Sequence, residues 1–185
     1  MLNTFVVYVE NKPGVLTRVA SLFRRRAFNI DSLTVGRTEK PEVSRMTITV
    51  DADQDQARRI EASLYKLVNV LLVENLTAER AIVRDLAMIK VAAQHAERSH
   101  VLQLVNVFRG RVVDVAPESL TIEITGAEDK IDGLLDALRP YGVLEMVRTG
   151  IVAMRRGNKS PAAGTPTSEL AEGPADTEDG DTQSV

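Results

Sequence analysis

Residues 5–16 read Phe5-Val6-Val7-Tyr8-Val9-Glu10-Asn11-Lys12-Pro13-Gly14-Val15-Leu16. The first five form a strand-like run that is apolar on both faces, and Pro13-Gly14 then turns the chain. Val15, Leu16, Val19, Ala20, Leu22 and Phe23 follow at the i, i+4, i+7 spacing of an amphipathic helix that closes near Asn29. A strand, a tight turn and a returning helix make the opening of a βαβ unit. Ile30 to Thr38 reads as the next strand, with Glu39-Lys40-Pro41-Glu42 as a turn. In Val43 to Asp51, Met46, Ile48 and Val50 alternate with Arg45, Thr47 and Thr49, which suits a half-exposed strand. Ala57, Ile60, Leu64 and Leu67 mark a second helix, and Val68 to Asn75 a last strand.

The same order returns further on. Val83 to Ala92 reads as a strand, and Val101, Leu104, Val105 and Phe108 as a helix capped at Gly110. Arg111 to Ala116 is a short strand, Pro117-Glu118 a turn, and Leu120, Ile122 and Ile124 the inward face of another strand. Ile131, Leu134, Leu135 and Leu138 stripe a final helix broken by Pro140 and Gly142, and Val143 to Met154 reads as one closing strand. The expected fold is α+β, two tandem ferredoxin-like βαββαβ domains over residues 1–77 and 78–157. Domains this small have thin cores and sheet edges that need cover. Strands apolar on both faces, such as Phe5 to Val9 and Val70 to Val73, expect something on the second face, from which a homodimer is inferred.

Composition removes several functional classes. The chain has 185 residues, no cysteine and no tryptophan, which excludes disulfides, thiolate metal sites and a cysteine nucleophile. No apolar run approaches the roughly 20 residues that span a bilayer, and no basic stretch precedes an apolar one at the N-terminus. A soluble, cytoplasmic protein is expected. The net charge of −3 is uneven: residues 158–185 carry six acidic residues and one lysine, leaving +2 on the rest. That is no footprint for nucleic acid, and the acidic tail, poor in apolar residues, is expected to be disordered.

Two readings of the Pro-Gly turn stay open on the residues alone. Pro13 suits the first helical turn, Gly14 keeps the backbone open, and the N–H groups of Gly14, Val15 and Leu16 with the helix dipole favour a carboxylate. With the amide of Asn29 aimed at a common spot, the arrangement would hold a small zwitterion. The plainer reading is that Asn11 caps the helix and Asn29 merely ends it. His95 and His100 lie five apart, which misses the spacing of paired metal ligands on one helical face. Arg24-Arg25-Arg26 reads as a solvated helix end, or else as a contact for an acidic partner. Asp51, Asp53 and Asp55 lack the glycine and glutamate of a calcium loop and suit a helix N-terminus instead. At Arg109-Gly110-Arg111, capping is the plain reading and partner contact the sharper one. No nucleophile with its base, phosphate loop or dinucleotide fingerprint is present.

These residues also carry a family resemblance. Asn11-Lys12-Pro13-Gly14-Val15-Leu16, Phe28-Asn29-Ile30 and Ser32-Leu33-Thr34-Val35 resemble the ACT domain of the small, regulatory subunit of acetohydroxyacid synthase (acetolactate synthase). Ser44-Arg45-Met46-Thr47, Lys66-Leu67-Val68-Asn69-Val70 and Phe108-Arg109-Gly110-Arg111-Val112-Val113-Asp114-Val115 fit the same family, so the likeness runs from about Leu2 to Gly157. The resemblance implies a non-catalytic subunit in branched-chain amino acid biosynthesis. Such a subunit activates a catalytic large subunit, which would carry thiamine diphosphate, Mg and FAD, while this chain carries no cofactor. It also implies feedback inhibition by valine, or by leucine or isoleucine, bound where two ACT domains meet. The implied effector residues are Asn11, Lys12, Pro13, Gly14, Val15, Leu16, Asn29 and Ile30. One departure stands beside them: the family often has glycine where this chain has Ala27. Two rivals share the fold. An RNA-recognition module would need exposed aromatics where Val43 to Asp51 has Arg, Met, Thr and Ile. An amino-acid sensor serving another enzyme would keep the site and change the partner.

Overall fold

A computed structural model describes residues 1–157; the expected tail over 158–185 lies outside them. The first unit runs β1 (Leu2–Glu10), α1 (Val15–Arg25), β2 (Ile30–Arg37), β3 (Val43–Asp51), α2 (Gln54–Leu64) and β4 (Val70–Asn75). Its strands form one antiparallel sheet in the order β2-β3-β1-β4. Alternation along the strands decides which residues meet the helices. Phe5, Val7 and Val9 of β1, with Met46, Ile48 and Val50 of β3, pack against Val15, Val19, Leu22 and Phe23 of α1 and Ile60 and Leu64 of α2. The start of α2 is set by a capping box, in which the Gln56 N–H donates to Asp53 Oδ1 at 2.8 Å and the Asp53 N–H to Gln56 Oε1 at 2.9 Å. Val68 is not in a strand. The Val70 N–H donates to the Leu67 carbonyl, which bends the chain and leaves Val68 exposed.

The second unit repeats this plan with β5 (Ala81–Ala92), α3 (Arg98–Val107), β6 (Arg111–Val115), β7 (Ser119–Gly126), α4 (Glu128–Leu138) and β8 (Val143–Arg148), in the order β6-β7-β5-β8. Ile89, Val91, Ile122 and Ile124 face Val101 and Val105 of α3 and Ile131 and Leu134 of α4. The closing strand departs from expectation. Val143 to Met154 is two strands, because Gly150 takes φ +86° and breaks the extended run. After that kink β9 (Val152–Arg155) pairs with the other half of β5, Ala153 opposite Val83.

That kink changes what covers the first sheet. Residues 149–155 cross its open face from β2 to β4. Thr34 Oγ1 donates toward the Ile151 carbonyl at 3.2 Å, Arg45 donates to the Ala153 carbonyl, and Arg155 pairs with Glu74 at 3.5 Å. Val6 is completely buried there with Leu76 and Ala153. Thr47 and Thr49 are buried on the same face. The cover that the doubly apolar β1 demanded therefore comes from the chain itself, so this face of β1 is no argument for a second copy.

Both first helices of the repeats end alike. Ala27 has φ +55°, its N–H donates to the Arg24 carbonyl, and the Phe28 N–H donates to Phe23 five residues back. This is a Schellman motif with alanine in the left-handed position. In α3 that position belongs to Arg109 (φ +53°), not to Gly110 as the sequence reading had it. Gly110 instead follows it, where an added Cβ would stand 3.3 Å from the Glu123 carbonyl oxygen. Ala27→Gly is expected to raise stability by about 1 kcal/mol, read as a shift in the midpoint of urea unfolding, since glycine adopts positive φ without a Cβ clash.

Candidate functional site

The turn between β1 and α1 is built by glycine geometry. Gly14 is the residue before the helix, at φ +81° and ψ −6°, and no side chain caps α1. Pro13 therefore lies ahead of the cap and not inside the first helical turn, because a left-handed residue cannot continue a right-handed helix. Asn11 is not the helix cap either. Its N–H donates to the Glu42 carbonyl at 2.7 Å and its side-chain amide to the Pro41 carbonyl at 2.8 Å, which ties the turn to the β2–β3 connection.

The start of α1 is left with donors to spare. The Val15 N–H makes a long bond to the Lys12 carbonyl at 3.4 Å, while among the described residues the N–H groups of Gly14, Leu16 and Thr17 meet no acceptor. A side chain on Gly14 would find nothing within 4 Å, so the space before these amides is open. Unpaired amides at the positive end of a helix make an anion site.

Lys12 contributes little charge to it, because its ammonium stands 3.2 Å from Glu10 Oε1. Asn69 donates to the other oxygen of the same carboxylate and accepts from Arg18. The hydrogen bond from Asn69, and after it that from Lys12, hold the Glu10 carboxyl below the ordinary glutamate range. Asn69 is buried, and the sequence reading assigned it no part in the turn. Nothing in a lone asparagine between valines marks it as the brace of a turn nearly sixty residues earlier.

The other half of the expected site is elsewhere. β2 runs parallel to β1, so Ile30 lies level with Val50 and Asn3, whereas the Gly14 turn follows Glu10, level with Val43. Seven residues of β3 separate those levels, about 24 Å at roughly 3.4 Å per residue. The 11 residues of α1 span about 16 Å between its ends. Gly14 and Asn29 thus sit at opposite ends of the domain, and the expected common spot does not exist within one chain. The cause is elementary: a helix joining them places them at its two ends. Asn29 is exposed, and among the described residues its side chain makes no hydrogen bond.

The remaining candidates resolve locally. His95 and His100 are exposed, and no cluster of metal-ligating side chains occurs among the described residues. Asp53 caps α2 and Asp55 stands in its first turn. Arg24, Arg25 and Arg26 are exposed at the end of α1, where cations suit the dipole. Arg111 pairs with Glu123 at 2.7 Å. No helix among the described residues is long and apolar enough to cross a membrane.

Comparison with known proteins bears on both halves. Residues 5–72 match the model of the AHAS small subunit-like ACT domain, and residues 84–157 that of the small subunit of acetolactate synthase. A probable acetolactate synthase small subunit of Archaeoglobus fulgidus is 50% identical over 159 residues, covering 86% of this chain and 99% of the relative. The acetolactate synthase small subunit of Mycolicibacterium smegmatis is 46% identical over 161 residues, covering 87% and 95%. The crystal structure of the small subunit from Thermotoga maritima superposes with a TM-score of 0.80 at 42% identity, covering 85% of this chain and 99% of that one.

The Glu10 network makes a pH dependence testable. A carboxyl whose pKa is lowered by folding adds stability that is present above its ordinary pKa and lost as pH falls through the lowered one. Asn69→Ala is expected to raise the Glu10 pKa toward the ordinary value, read by NMR titration of its carboxyl carbon, and to shrink the loss of stability on acidification.

Proposed function

This chain belongs to the acetolactate synthase small-subunit family, and we propose that it regulates a thiamine-diphosphate-dependent catalytic subunit by sensing a branched-chain amino acid between two copies of its first domain. The observation that carries this reading is the separation of the two half-sites. A two-fold axis beside β2 would set two first domains edge to edge and turn each α1 end for end. The Gly14 turn of one copy would then meet Asn29 and Ile30 of the other. The molecule has features that suit such a pairing. β2 is a free edge strand with Val35 exposed, and the outer face of α1 carries a shallow groove lined by Leu16, Thr17, Ala20, Ser21 and Arg24.

In that arrangement the effector carboxylate takes the free amides at the start of α1, and Asn29 of the second copy meets its polar end. Leu16 and Ile30 offer apolar surface to a short branched side chain, with valine the first choice. Leucine and isoleucine differ from it by one methylene, which shifts binding by about 1–3 kcal/mol. The small subunit would raise the activity of its cytoplasmic partner, and valine would reverse that gain. A coupling of about 1–3 kcal/mol between the two sites is typical of such regulation. Thiamine diphosphate, Mg and FAD belong to the catalytic subunit in this reading, and this chain contributes no reacting group.

Calorimetry on the unmodified protein is expected to show valine binding, and Gly14→Asp and Asn29→Ala each to abolish it. Mixing the two variants after unfolding and refolding together tests the shared site. Each mixed dimer holds one intact site, so about a quarter of all sites should return at random pairing. A site within one chain would recover none.

A further inference from the structure

We propose that Ser32 and Thr34 of β2, seated on the Thr149-Gly150-Ile151 bend, are positioning residues through which effector occupancy is passed to the second domain; this rests on the effector reading above. β2 begins beside Asn29, so its first residues are the ones a bound effector would displace. Two residues on, the Ile151 N–H donates to Ser32 Oγ at 3.0 Å. Thr34 Oγ1 lies 3.3 Å from the Thr149 carbonyl oxygen and 3.2 Å from that of Ile151. Between these contacts Gly150 leaves no room: an added Cβ would stand 2.4 Å from Ser32 Oγ and 3.3 Å from Thr34 Oγ1. The bend is therefore held against β2 by two short hydroxyl side chains, with no long side chain between the backbones.

From the bend the connection continues into the second domain without a gap. The Thr149 N–H donates to the Leu86 carbonyl at 3.0 Å, and its hydroxyl bonds Asp85 at 3.2 Å. Arg148 clasps Asp85 of β5 at 2.7 Å and Asp132 of α4 at 3.0 Å. Among the described residues only β3 pairs with β2, its register slips between Ile30 and Ser32, and a cleft of about 380 Å³ opens beside Ser32, Asp85 and Arg148. A shift of β2 must either carry residues 149–151 with it or break the bond at Ser32, and the first course moves β5 and α4.

The test uses the small subunit with its catalytic partner. Ser32→Ala combined with Thr34→Val is expected to bind valine within about threefold of the unmodified chain by calorimetry, and to activate the catalytic subunit within about twofold, while losing at least half of the valine inhibition. Thr34→Ser, which keeps the hydroxyl, should retain full inhibition. Gly150→Ala reaches the same contact by steric pressure and should show the same split, so a folding failure in one variant leaves the other to decide. Full inhibition of the folded variants by valine would overturn the coupling role. Failure of the unmodified chain to bind valine, leucine or isoleucine would instead overturn the effector reading, and the coupling with it.

Discussion

The first strand has to be covered on both faces, and the rest of the structure follows from how that is done. Phe5, Val7 and Val9 are covered by two helices that lie close in sequence. Val6 is covered by Ala153, from the far end of the described chain. Burying a valine fully is worth about 1.5–3 kcal/mol, so exposing this face would cost a sizeable part of a small domain's stability. The two repeats are thereby joined by more than their linker. β5 belongs to the second sheet at one end and, through β9, backs the first sheet at the other.

This arrangement brings β2 into contact with more than its own sheet. The edge strand β2 touches four environments: β3 within the sheet, the helix-side core through Ile30 and Leu33, the 149–155 segment on the open face, and solvent at its free edge. In the proposed pairing a second copy would add at the free edge, while the open face is where the second domain is already attached. In the proposed regulation one element would carry both a sensing and a reporting surface, and β2, paired along one edge and bonded on its open face, has both.

Helix endings supply a smaller constraint of the same kind. α1 and α3 both close through a Schellman motif whose left-handed residue is not glycine. The strain is offset by the two hydrogen bonds of the motif and by the packing that sets where β2 and β6 begin. Ala27 lies two residues before Asn29, so the backbone path through Ala27 sets where that amide points.

Sequence by itself determined what depends on near neighbours: the βαββαβ order, twice, the inward face of each strand and helix, and the turn at Gly14. Alternation at two residues and repetition near 3.6 are local properties, legible wherever one face is buried. It also marked Asn11, Gly14 and Asn29, though not how they relate. Tertiary structure alone decided the kink at Gly150, invisible as one glycine in an alternating run, and the bracing of Glu10 by Asn69, which joins residues far apart in the chain. It decided as well that Gly14 and Asn29 stand at opposite ends of a domain. A pattern read along the chain marks residues whose chemistry suits a turn or a helix end, because those properties are local. Only the direction of β2 relative to β1, set by long-range pairing of both strands with β3, says how far apart those residues stand.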